Sequence, residues 1–210
     1  MNRTITVGRA LLAAAAAVTT LALVSACGGT GGMNHGGANP GGTGQPMASA
    51  PSGTTFNDAD VAFAQMMIPH HQQAVEMASL AKTRASDPEI KQIATNVKAA
   101  QAPEITTMTG WLTAWGMPTA GAHNMPCMSG TEGMPGMASD QDMTQLKAAT
   151  GVDFDRMFAR MMIAHHNGAI QMCRDVRTQG AHTAAKALAD TIEQTQAAEV
   201  ATLQTILDRL

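Results

Sequence analysis

Two stretches of this chain carry the same arrangement of soft and basic side chains. Phe63, Met66, Met67, His70 and His71 are followed, 95 residues later, by Phe158, Met161, Met162, His165 and His166. The same interval separates Met77 from Met172, Gln101 from Gln196 and Glu104 from Glu199, with no insertion or deletion between them. Imidazole and thioether together suit Cu(I), whereas nitrogen and oxygen donors suit Cu(II). A doubled cluster of such groups points to a metal, and among metals to copper. In a fold with internal symmetry, Met66, His70, His71 and Met77 would meet Met161, His165, His166 and Met172 near one axis and form the metal-binding set. Gln101, Glu104, Gln196 and Glu199 would support them from partner helices, because a ligating histidine commonly donates its second N–H to a carboxylate or carbonyl. The competing reading is packing. Methionine at helical spacing fills cores, and the same residues would then mark a structural or protein-interaction module.

Between Gly116 and Ser139 the chain is rich in glycine and proline, yet it holds His123, Met125, Met128, Met134 and Met137. A flexible segment has no core to fill, so these residues are expected to act as auxiliary loop ligands for soft metal ions. The alternative is that the segment folds over the helices as a lid and buries its methionines. Cys127 and Cys173 are expected to form a disulfide if the protein is exported, since paired thiols oxidise outside the cytoplasm. A thiolate ligand role is the other reading.

These residues need helices to position them. Asn57 opens a helical pattern with Asp58 and Asp60 in its first turn, where the helix dipole favours acids. Phe63, Met66, His70, Gln73, Met77 and Leu80 then recur at alternating spacings of three and four, which places them on one face. This helix is expected to end near Lys82 or Arg84. Asp87, Pro88 and Glu89 form a strong second start, with an N-cap, a proline at the first helical position and an acid behind it. The second helix should reach about Trp115. Pro69 and Pro103 lie inside these helices and should kink them, whereas the second repeat has Ala164 and Ala198 at those places. Ser139 and Asp142 suggest a capping box and a short lead-in helix that ends at Gly151. Further helices should run from about Asp153 to Gln179, with Gly180 as the C′ residue, and from about Thr183 to Asp208. Two duplicated helical hairpins pack most simply as a four-helix bundle with a pseudo-twofold axis. The fold class is therefore all-α.

The N-terminus reads as an export signal. Arg3 and Arg9 precede an apolar run from Leu11 to Val24, and Val24-Ser25-Ala26-Cys27 resembles a lipobox with lipid attachment at Cys27. Residues 1–26 would be the signal peptide, 27–55 a flexible tether and 56–210 the folded domain. Within that domain lie repeat one (56–115), a Met- and Gly-rich linker (116–138) and repeat two (139–210). The expected location is the outer face of a bacterial cell membrane or its periplasmic side, with the lipid as the membrane anchor. The full chain has a net charge of −3, which becomes −5 once Arg3 and Arg9 leave with the signal. An acidic balance of this kind argues against a nucleic-acid partner, and no protein partner is indicated. Glu104 and Glu199 are followed three residues later by Thr107 and Thr202, so the Glu-x-x-His motif of a di-iron bundle is missing. Neither a Cys-x-x-Cys pair, a phosphate-cradling glycine loop nor a Gly-x-Ser-x-Gly elbow occurs. Nothing in the residues argues for catalysis, and a haem site would need paired histidines without the bulky neighbours found here.

The motif Met66-Met67-Ile68-Pro69-His70-His71-x-x-Ala74-x-x-Met77 and its twin ending at Met172 resemble domain-of-unknown-function family 305. So does Gln101-x-x-Glu104-Ile105-x-x-Met108-x-x-Trp111-Leu112, and Met134-Pro135-Gly136-Met137 is similar to its usual linker. The resemblance spans about Phe56 to Leu210. It implies a ferritin-like helical bundle that is exported or lipid-anchored in bacteria, and it links some relatives to copper binding and copper tolerance. Cys127 and Cys173 depart from the family pattern.

Overall fold

A computed structural model describes residues 55–119 and 134–210. The signal peptide, Cys27 and nearly all of the tether lie outside the described residues, as do His123, Met125, Cys127 and Met128. All regular structure among the described residues is helical: α1 (Asp58–Arg84), α2 (Pro88–Ala114), α3 (Asp140–Ala148), α4 (Gly151–Gln179) and α5 (Thr183–Arg209). None of these helices is long and apolar enough to cross a membrane.

The helix starts follow from local chemistry. Asn57 caps α1 through a capping box with Asp60, and Ser139 does the same for α3 with Asp142. Asp87 accepts the Glu89 and Ile90 N–H groups ahead of Pro88 at the first turn of α2. At the matching place in repeat two stands His182, whose Nδ1 accepts the Ala185 N–H at 3.2 Å. Both α1 and α2 run through their internal prolines as continuous helices. Gly180 corrects the expectation of a left-handed C′ residue, since its φ is −70° and its backbone is extended. Glycine is required there by crowding instead, because a Cβ would lie 2.4 Å from Asp60 Oδ1 and 2.6 Å from the Val176 carbonyl.

α1 pairs with α2 and α4 pairs with α5, while α1 and α4 pack against each other through the middle of the bundle. α2 and α5 meet along a much thinner seam, and the short α3 rests on α1 and α4. The core falls into two apolar halves. One joins Phe63, Met67, Met108, Met172, Cys173 and Ile192, so the start of α1 lies beside the end of α4. The other joins Met77, Ile90, Phe154, Phe158, Met162 and Leu203.

The buried face of α1 is rotated from the one the spacing suggested. Phe63, Met67, His70, His71, Ala74, Met77, Ala78 and Ala81 are buried, whereas Met66, Gln73 and Leu80 are only half-buried. The cause is that α1 packs against two helices at once. Its buried arc is therefore centred between α2 and α4 rather than on a single partner.

The two repeats are also tied together at their ends. Asp155 on α4 accepts the Ser86 and Asp87 N–H groups and the Ser86 hydroxyl, all in the turn between α1 and α2. Its twin Asp60 on α1 accepts the Ala181 and His182 N–H groups, at 2.9 and 3.0 Å, in the turn between α4 and α5. Each hairpin thus has its turn capped by an aspartate of the other.

Candidate metal centre

Between the two apolar halves lies a polar layer made of His70, His71, His165 and His166, all fully buried. The duplication accounts for it: His70 and His71 occupy the middle of α1, and their twins the middle of α4, where these central helices cross. The rings of His70 and His165 lie 3.7 Å apart, centroid to centroid, inclined by 38°. The His165 and His166 rings are 6.4 Å apart.

The outer helices bring one glutamate to one histidine of each pair, while Gln101 and Gln196 make no hydrogen bond to the rings. His71 Nε2 lies 2.7 Å from Glu104 Oε2 on α2, and His166 Nε2 lies 2.7 Å from Glu199 Oε2 on α5. Each carboxylate fixes its histidine as the Nε2–H form, which leaves Nδ1 as a bare lone pair. His70 donates through Nε2 to the Pro135 carbonyl at 3.1 Å, and its Nδ1 is likewise bare. Both ring nitrogens of His165 are without a partner, and so is Nδ1 of each of the other three rings. Burial pushes the His70 pKa down to about 3, and the neighbouring His71 and His166 push the same way. Burial also holds His165 well below the usual imidazole range, with His70 the next contributor. A neutral imidazole is the form that binds metal. Buried lone pairs without donors are costly unless water or an ion answers them, so the layer fits a soft cation. Among the described residues, no three His, Cys, Asp or Glu side chains converge as a closed cation site.

The methionines divide by burial. Met67, Met77 and Met162 are fully buried and Met172 nearly so. Met67 and Met162 stand one turn before His71 and His166 on the same line, yet the spacing argument favoured Met66 and Met161. Those two are half-buried, and Met161 lines an outer groove beside Met157, Asp142 and Asp153.

The described end of the linker forms a strap over α1 and α4. Gln73 holds it by two 2.8 Å bonds, donating to the Ala138 carbonyl and accepting the Ala138 N–H. On the other side the strap runs so close to α4 that a Cβ on Gly168, the twin of Gln73, would lie 1.9 Å from the Pro135 carbonyl. Gly136 sits in the left-handed region at φ +78°, where a side chain would strike the Ala164 carbonyl at 2.4 Å. Met134 is buried and Met137 half-buried, so packing accounts for Met134 and the lid reading holds for this part of the linker. Sequence spacing gave no sign of the strap beyond the Pro-Gly pair. Among the described residues Cys173 is a buried cysteine without a disulfide partner, and burial raises its thiol pKa to about 12, which disfavours a thiolate role. Its expected disulfide partner Cys127 falls outside the described residues.

Comparison with known proteins agrees with this architecture. The family model described as domain of unknown function DUF305 matches residues 60–207. A solved DUF305 protein from Streptomyces coelicolor, described as secreted, is 31% identical with a TM-score of 0.66 over 72% of this chain and 93% of its own. A DUF305 fragment from Deinococcus radiodurans is 29% identical with a TM-score of 0.65 over 73% and 98% of the two chains. CopM in its Cu(II)-bound form is 33% identical with a TM-score of 0.61 over 71% of this chain and 96% of its own. CopM has also been solved bound to Cu(I) and to silver. No curated protein matches the sequence. With the family model covering most of the folded domain and the bundle shared with solved members, the chain belongs to the DUF305 family.

Proposed function

We propose that this protein is an exported, lipid-anchored copper-binding protein that sequesters or buffers the metal and does not catalyse a reaction. The observation that carries the reading is the polar layer. Four buried histidines, two of them fixed by carboxylates, present lone pairs that no protein donor answers. The holding residues would be His70, His71, His165 and His166, completed by the thioethers of Met67, Met77, Met162 and Met172. Thioether and imidazole donors stabilise Cu(I), and two of the ions found in solved CopM structures, Cu(I) and silver, are of this soft class, alongside a Cu(II)-bound form. Glu104 and Glu199 orient the rings, while the strap shields the layer from solvent. Anchoring through Cys27 would keep the site at the membrane surface, and the Streptomyces coelicolor relative described as secreted supports export.

The deciding experiment is an anaerobic Cu(I) titration against a chromophoric competitor, run on the wild type and on a variant with all four histidines changed to alanine. Tight binding that disappears in the variant is the expected result. Equal binding in both proteins would leave the histidine layer as core packing.

A further inference from the structure

The thin seam between α2 and α5 encloses a small cavity of about 10 Å³ on the side of the histidine layer away from the strap. That is roughly the space of one water or one bare ion. Its lining obeys the duplication completely: Gln101 faces Gln196, Glu104 faces Glu199 and Val97 faces Ile192, each pair 95 residues apart. The cavity therefore lies on the pseudo-twofold axis, and anything held there meets two carboxamides and two carboxylates in matched positions.

Two further observations point to a ligand. Gln101 and Gln196 are each only 2% exposed, yet the Oε1 atom of each has no hydrogen-bond partner. Two buried, unpartnered carbonyl oxygens on residues that line one axial cavity are costly unless something positive answers them. Glu104 and Glu199 accept the histidine N–H groups through Oε2, which leaves a second oxygen on each carboxylate for the cavity. No lysine or arginine lines the cavity. Nor does one line the outer groove of about 470 Å³ that shares Ala100, Thr195 and Glu199 with it and opens past Gln92 and Asn96. Arg209 is paired with Asp87 and with Glu89, which lines that groove.

We infer that the α2–α5 seam is a second cation site, built from oxygen donors and distinct from the soft histidine layer, which takes a hard or borderline divalent cation. Two amide oxygens and two carboxylate oxygens match the donor preference of such ions, and the two carboxylate charges balance a dication. The site stands whether or not the histidine layer binds Cu(I).

Mn(II) is the probe, because it binds oxygen donors and has little affinity for thioethers. The free Mn(II) signal in electron paramagnetic resonance is followed as the metal-free full chain is titrated, and Cu(I) binding is measured on the same samples. One saturable Mn(II) per chain is expected, with a dissociation constant of about 10⁻⁴ to 10⁻³ M, as in protein sites of few charges. Gln101→Leu/Gln196→Leu should weaken Mn(II) binding at least tenfold. Gln101→Glu/Gln196→Glu adds charge to the same cavity and should tighten it, so the inference does not depend on one variant folding well. Absence of saturable Mn(II) binding in the wild type, or binding that neither double variant changes, would overturn the seam site and leave the copper reading untouched. Mn(II) binding without Cu(I) binding would uphold the seam and refute copper capture.

Discussion

His71 and His166 show how much one hydrogen bond decides. Each gives its Nε2 proton to a glutamate, which settles the tautomer and the direction of the remaining lone pair. Replacing Glu104 or Glu199 by glutamine keeps the shape and removes the charge. Loss of such a supporting partner usually lowers metal affinity about 10- to 100-fold, so each single variant should weaken Cu(I) binding by that order in a competition titration. Unchanged affinity in both would show that the glutamates only fix the core. The pH dependence is set by His70 and His165. Both are held neutral in the fold, so in acid only the unfolded chain takes up their protons. Stability is therefore level above about pH 6.5 and falls as pH drops from there towards 3, by about 1.4 kcal/mol per pH unit for His70 alone. Urea unfolding of the metal-free protein at pH 7.5, 6 and 5 should show the midpoint falling, and a constant midpoint would mean that these rings are not protected from protonation.

The strap is the element on which sequence reasoning was weakest. Helix boundaries were legible because caps, prolines and charged first turns act locally: Asn57, Asp87 with Pro88, and Ser139 each mark a start that the structure keeps. The rotation of the buried face of α1 was not legible, because it depends on α1 having two neighbours. That is why Met66 and Met161 were preferred over Met67 and Met162, a difference of one residue along the same helices. The fate of Met134 also depends on a tertiary contact that no local pattern encodes. The glycine at 168 now has a reason, since the strap backbone occupies the place of its side chain. Gly168→Ala should push Pro135 away and break its bond to His70, at a cost of about 1–3 kcal/mol for overpacking. Thermal unfolding combined with limited proteolysis checks this: a lower midpoint and faster cleavage near Pro135 are expected, and wild-type behaviour in both would mean that the strap is not held by this contact.

At the scale of the whole molecule, the fourfold arrangement of histidines followed from the 95-residue interval alone, since a duplicated hairpin brings its copies together about an axis. What the interval could not reveal was how the halves are locked. Asp60 looked like an ordinary first-turn acid, yet both it and its twin Asp155 are fully buried and each caps the opposite turn. Asp155→Ala would strand the N–H group of buried Asp87 and release that of exposed Ser86, and an unanswered buried donor costs about 1–3 kcal/mol. Asp60→Ala should be similarly damaging although it lies in the other repeat. Denaturant unfolding of both variants tests the symmetry: a large loss from one and none from the other would show that the two locks are not equivalent.

Reciprocal capping has a consequence for ancestry and for divergence. A single hairpin carries both the aspartate and the turn that an aspartate must cap, so two identical hairpins would satisfy one another as a homodimer. Joining them in one polypeptide keeps that complementarity and removes the obligation for the two copies to stay identical. Position 73 and its twin 168 exploit the release: one copy carries a glutamine that grips the strap, the other a glycine that lets it pass. A homodimer would have to place the same residue at both positions, and could not hold one connecting segment on a single side of its axis.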